Sequence, residues 1–228
     1  MSPIEEALAA LERRSESRIR DGLSRYGIAT ADRVLGVPMA AIQEVGKTIG
    51  RDQALAEALW KSGVYEGRLL AAFVGDPDRM TPALMDEWAR GFDNWATCDT
   101  LCMKLFDRTP HAFAMVDAWA PDPAEFVRRT AFALLASLAL HDKTTPDPAF
   151  LSRLPLIEAG AGDDRNFVKK GVSWALRAIG DKRRSPALRE AARALADRLA
   201  ASPVPSARWI GRDASKAFAA AARKSEAG

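Results

Sequence analysis

Apolar positions along this chain recur at helical spacing. In 123–140, Phe126, Thr130, Ala133, Leu134 and Leu138 fall on one helical face. In 164–180, Val168, Val172, Ala175, Leu176 and Ile179 do the same. No stretch alternates cleanly with period two, β-branched runs are short, and alanine and leucine are abundant. The pattern predicts helices throughout.

Breaks recur at short intervals: Gly36-Val37-Pro38, Ser62-Gly63, Gly75-Asp76-Pro77, Thr109-Pro110, Pro121-Asp122-Pro123, Pro146-Asp147-Pro148, Gly160-Ala161-Gly162 and Pro203-Val204-Pro205. Thr81-Pro82 and Ser185-Pro186 are the clearest helix starts, with a capping hydroxyl before a proline whose missing N–H costs the first turn nothing. The segments between breaks run about 10 to 18 residues, too short to stand alone, so they must pack in pairs. That fits degenerate helical repeats of the HEAT type, whose identity lies in apolar spacing, and it also fits an irregular all-α domain. One helical-repeat domain is expected over 1–228, with a partly flexible C-terminal segment from about residue 204 to 228.

The chain has 228 residues, 48% apolar and 28% charged, the profile of a globular protein with one sizeable core or an elongated helical stack. No run of 18 apolar residues occurs, so no membrane span is expected. The acidic start Met1-Ser2-Pro3-Ile4-Glu5-Glu6 lacks the apolar core of a secretory signal, and a cytoplasmic location is expected. The two cysteines, Cys98 and Cys102, lie one turn apart with no histidine pair nearby; they are expected to be reduced core thiols rather than metal ligands. The net charge of +3 is unevenly placed. Residues 1–120 hold 14 basic and 18 acidic residues, whereas 121–228 hold 19 and 12. The segment 165–212 alone has 12 basic and 3 acidic residues, which suits a polyanion-binding face or simply a solvated one.

Three segments carry candidate chemistry. Trp95 and Asp99 share a helix face one turn apart, and an indole beside a carboxylate suits a cation. The alternative is a core tryptophan beside an ion-paired Asp. Arg129 sits inside an apolar helical run and needs an anion, either a carboxylate or a phosphate held by its fork. Trp174 lies between Lys170 and Arg177 on one face, an arrangement that fits phosphate contact with a ring against sugar or base. It also fits a gap-filling tryptophan between helices. Trp60, Trp88 and Trp119 are expected in the core, Trp209 is placed to dock the C-terminal segment, and His111 and His141 lie near helix ends. No glycine-rich phosphate loop, nucleophile elbow or histidine-rich metal cluster is present, and no cofactor or metal is expected.

The stretches Trp95-Ala96-Thr97-Cys98-Asp99, Phe126-Val127-Arg128-Arg129-Thr130-Ala131 and Phe167 through Arg177, in that order and separation, resemble the AlkD-like DNA alkylation repair glycosylases. Tyr26-Gly27-Ile28 through Leu35-Gly36-Val37-Pro38 is similar to that family's N-terminal entrance, with Pro38 where a polar side chain can stand. The resemblance covers roughly residues 20 to 200. It implies an all-α, right-handed solenoid of antiparallel HEAT-like helix pairs with a basic concave face. It implies a monomeric hydrolase acting on duplex DNA and releasing cationic N3- and N7-alkylpurines without flipping the base. Asp99, Trp95 and Trp174 would then be catalytic, and Arg129, Lys170 and Arg177 would bind DNA. The rival expectation is a non-catalytic HEAT scaffold that binds DNA structures or a protein partner, and a third is a peptide-binding solenoid with apolar grooves.

Overall fold

Helices begin where short polar side chains can satisfy their first N–H groups. The hydroxyl of Thr81 accepts from Leu84 N (3.2 Å) and that of Ser185 from Leu188 N (3.1 Å), each followed by proline. The computed structural model describes residues 2–226, with side chains described through Arg223. Apart from one isolated bridge between Arg33 and Val64, regular structure among the described residues is helical. The chain divides into two compact units, Met1–His111 and Ala112–Gly228.

The first unit comprises α1 (Pro3–Glu12), α2 (Ser17–Gly22), α3 (Met39–Ile49), α4 (Gln53–Trp60), α5 (Tyr65–Val74), α6 (Pro82–Arg90) and α7 (Trp95–Lys104), with short 3-10 turns between some of them. Its centre is α5, which packs against α3, α4 and α7. Leu69, Leu70, Ala71, Ala72 and Val74 bury that helix on most sides. Trp60 stacks on Trp88, their ring centroids 4.8 Å apart, and both are buried, as expected for core rings.

The second unit is built of paired helices: α8 (Ala112–Trp119) with α9 (Glu125–His141), α11 (Leu154–Gly160) with α12 (Asn166–Ile179), and α13 (Pro186–Ala200) with α14 (Pro205–Glu226). The short α10 (Asp147–Leu151) packs on α13. The second members of these pairs stack side by side, α9 on α12 and α12 on α14. α9 is not the one-faced helix its spacing predicts: Val127 through Ala139 are buried almost without interruption. Its two buried hydroxyls donate back to their own helix, Thr130 Oγ1 to Phe126 O (2.6 Å) and Ser137 Oγ to Ala133 O (2.8 Å). By contrast α12 keeps the predicted stripe, with Val168, Val172, Ala175, Leu176 and Ile179 all fully buried.

The C-terminal segment is helix up to Glu226, seated by Ala207, Ile210, Ala214 and Phe218. Of the tail 223–228 expected to fray, residues 227 and 228 lie outside the described residues. Trp209 does not dock this segment as the sequence led us to expect; it is 41% exposed, because small residues let α14 approach α13 without it. At Gly211 the approach is so close that a Cβ would stand 2.2 Å from Ala200 N and 2.5 Å from Ala196 O. Gly211→Ala must therefore push the two helices apart. We expect it to lower the stability of this unit by about 1–3 kcal/mol in urea titration, the range for an overpacked core.

Candidate functional site

A buried asparagine sets the start of α7. Asn94 Oδ1 accepts from Thr97 N (3.0 Å), which makes Trp95 the first residue of the helix and places Asp99 one turn later. Cys98, Leu101 and Cys102 take the buried side. Both cysteines are free, and burial followed by the hydrogen bond with Cys98 pushes the Cys102 thiol well up, so it stays protonated. Trp95 and Asp99 are half-buried and line a cleft of about 510 Å³. Its other walls are apolar, from α3 (Met39, Ile42), α5 (Leu69, Phe73) and Met103, with Lys104 also at the cleft.

The outer wall of this cleft is a stretch without helix, residues 27–38, fastened to α5 and α7. The Trp95 indole N–H donates to Tyr26 O (3.0 Å), and Ala31 N donates to Asp93 Oδ2 (2.9 Å). Arg33 N donates to Gly63 O (2.8 Å) and Tyr65 N to Arg33 O (3.0 Å), which forms the Arg33–Val64 bridge. The strongest attachment is Glu66. Its carboxylate, 1% exposed, accepts from Leu35 N (2.9 Å), Gly36 N (2.7 Å) and Val37 N (3.2 Å). Gly36 turns with φ +87° where a Cβ would meet Glu16 O at 2.5 Å, so only glycine fits between Glu66 and α2. Val37 and Pro38 then enter α3 along the cleft. Burial, with the charges of Glu66 and Asp93, pushes the Tyr65 phenol up, so this cleft residue is neutral.

In the second unit Lys170, Trp174 and Arg177 share one side of α12, as their spacing predicts. Lys170 is exposed and Trp174 half-buried. Arg177 is exposed, and its Nε stands 3.3 Å from Asp213 Oδ2 of α14. The same oxygen accepts from Ser173 Oγ (2.6 Å), so Asp213 joins α14 to the tryptophan-bearing helix. Arg129, the candidate phosphate grip, is 5% exposed, and its Nη1 donates to Phe167 O (2.7 Å) in the first turn of α12. Next to it Asp163 accepts from Arg165 (2.6 Å) and from Arg128 (3.2 Å), while Arg165 Nη1 donates to Pro123 O (2.7 Å). The Arg165 hydrogen bonds hold the Asp163 carboxyl below the usual carboxylate range against the opposing effect of burial. These contacts tie the start of α12 to the start of α9.

Sequence reasoning missed Glu66 and Asp213. Glu66 carries one weak signal, a carboxylate between Tyr65 and the apolar stretch that starts at Leu69, but its partners lie about thirty residues upstream and share no local pattern. Asp213 has no local signal at all. Among the described residues no group of three or more His, Cys, Asp or Glu is placed to hold a metal ion, and no helix is long and apolar enough to cross a membrane.

Residues 7–218 match the model of a family described as DNA alkylation repair enzyme. Comparison with curated proteins finds no match. A solved structure described as belonging to "a new family of proteins related to the HEAT-like repeat DNA glycosylases with affinity for branched DNA structures" is similar, with a TM-score of 0.76 and 19% identity. The similarity covers 86% of this chain and 83% of that one. At this identity it speaks for the fold, which is all-α and HEAT-like.

Two measurements test these attachments. Glu66→Ala strips three buried N–H groups of their acceptor, and each such loss costs about 1–3 kcal/mol. Thermal melting should show a large drop for Glu66→Ala and a smaller one for Glu66→Gln, which keeps one accepting oxygen. Asp163→Asn should lower stability at neutral pH, because a carboxyl with a depressed pKa stabilises the fold when ionised. That difference from the parent protein should shrink as the pH falls below the ordinary carboxylate value of about 3.9 and through the lower native one.

Proposed function

The chain belongs to the DNA alkylation repair enzyme family, and we propose that it is a DNA glycosylase that releases cationic N3- and N7-alkylpurines from duplex DNA. The observation that carries this reading is the Trp95–Asp99 pair, one turn apart on α7 and both lining the apolar cleft. An alkylated purine already bears a positive charge. When its C1′–N bond breaks, the bonding electrons leave with the base, which departs neutral, and the sugar becomes an oxocarbenium-like cation. Water then adds to C1′ and loses a proton, leaving an abasic site. Such a reaction needs little acid catalysis; it needs negative potential where the charge appears.

Asp99 supplies that potential in our reading, facing the sugar cation or orienting the attacking water. The apolar surroundings strengthen its field relative to bulk water. Trp95 is held by its N–H bond to Tyr26 O, which fixes the ring so that its π face can favour the same charge. Trp174 is assigned a second such ring, and Lys170 the adjoining phosphate contact. Arg177 contributes to phosphate binding only as far as Asp213 shares it. For Arg129 the buried bond to Phe167 O supports a role in seating α12, with any phosphate contact made from that fixed position. A base still stacked in the duplex, already activated by its own charge, requires no enclosing pocket.

A second reading has its own support. The similar solved structure is described as having affinity for branched DNA, so a DNA-binding protein without catalysis is the rival. Asp99 separates the two. Asp99→Asn should retain most binding to duplex DNA while base release falls at least about tenfold, because one removed electrostatic contact typically raises a barrier by about 2–4 kcal/mol. Single-turnover release of 7-methylguanine from methylated duplex measures it, with a matched uracil duplex expected to stay intact. No release by the parent protein favours the rival, whereas release at an unchanged rate in Asp99→Asn removes Asp99 from the catalytic role.

A further inference from the structure

Helix α14 presents an exposed face. Trp209, Arg212, Lys216 and Arg223 follow at intervals of three, four and seven residues, and all four are exposed. The opposite side, Ala207, Ile210, Ala214 and Phe218, is buried. Among the described residues no ion pair involves Arg212, Lys216 or Arg223. The acidic residue of this stretch, Asp213, lies one turn from Trp209 and Lys216 and is engaged by Ser173 and Arg177 of α12. Trp209 is the most exposed of the tryptophans, and it is held in place: Lys169 Nζ lies 5.1 Å from its ring centroid. Exposed and flanked by the Lys169 cation, it has the form of a ligand contact rather than a stray surface residue.

We propose that this face of α14 binds the sugar-phosphate backbone of duplex DNA, continuing the surface that Lys170 and Trp174 begin on α12. The proposal rests on the nucleic-acid reading above and adds a contact to it. Two features favour DNA as occupant over a second protein copy. The stripe is cationic, and the neighbouring carboxylate, Asp213, is already taken by Ser173 and Arg177. It also continues the side of α12 that carries Lys170, since α14 is the next of the stacked helices. From Trp209 to Arg223 the helix rises about 21 Å, the length of roughly six base pairs of B-form DNA. The three cations would neutralise phosphates along that length, and the Trp209 ring would pack on a sugar or a frayed base.

The test uses the full chain and an undamaged, fluorescently labelled duplex, with binding measured across a salt series. The triple variant Arg212→Ala, Lys216→Ala, Arg223→Ala should bind at least about tenfold more weakly at low salt, with a log–log salt slope smaller by about 2.7. Trp209→Ala should weaken binding about fivefold or more and leave the slope unchanged, because a ring releases no counterions. Extending the duplex by about six base pairs on one side should raise affinity for the parent protein and not for the triple variant. If the parent protein binds and the variants match it in affinity and slope, the α14 contact is wrong and the glycosylase reading stands. If the parent protein binds no duplex, both fall. A dimer seen by sedimentation that the variants disrupt, with DNA binding intact, assigns the face to a second copy and overturns the proposal.

Discussion

The attachment of Glu66 to three consecutive backbone N–H groups is the interaction on which the candidate cleft depends. A carboxylate this deeply buried is stabilising only because donors surround it. Those donors, Leu35, Gly36 and Val37, belong to a stretch with no helix of its own. The stretch has few other means of satisfying its polar backbone against an apolar helix. By meeting that need Glu66 determines where α3 begins, and so where Met39 and Ile42 stand across from Trp95 and Asp99. Gly36 completes the arrangement, since its positive φ and the close approach of α2 leave no room for a side chain.

The second unit solves a different problem. Its inner helices, α9, α12 and α14, lie side by side, and α9 is buried and apolar nearly all round. Its polar groups survive by internal bonds, as with Thr130 and Ser137, or by partners at the helix end, as with Arg128 and Arg129. The helices that follow are progressively less enclosed. On α12 one side is free to carry Lys170 and Trp174, and on α14 an entire face carries cations and Trp209. A stack of this kind thus exposes basic residues along consecutive helices without any of them being sacrificed from the core.

The chemistry proposed for the cleft follows from what the lesion brings. A cationic base is its own leaving-group activation, so the protein contributes field and position rather than proton transfer. In that proposal a half-buried carboxylate and a hydrogen-bonded indole on an apolar wall, with Trp174, form the catalytic set. The same division explains why no nucleophile or metal cluster is required by the reaction as written.

Local rules made much of this protein legible from its sequence. Helical spacing, the caps at Thr81 and Ser185, and the breaks near Gly36, Gly75, Pro121 and Pro203 correspond to observed helix boundaries, because caps and proline act within a single turn. The pairing of Trp95 with Asp99 and of Trp174 with Lys170 was legible for the same reason: residues one turn apart must share a face. Tertiary structure alone decided the rest. It enclosed α9, buried Arg129 against Phe167 O, gave Arg177 to Asp213, and turned Trp209 outward. It also joined Glu66 to a loop thirty residues away. Each of those outcomes depends on which helices come to lie against one another, and that is a balance of long-range packing and backbone satisfaction that no single window of sequence contains.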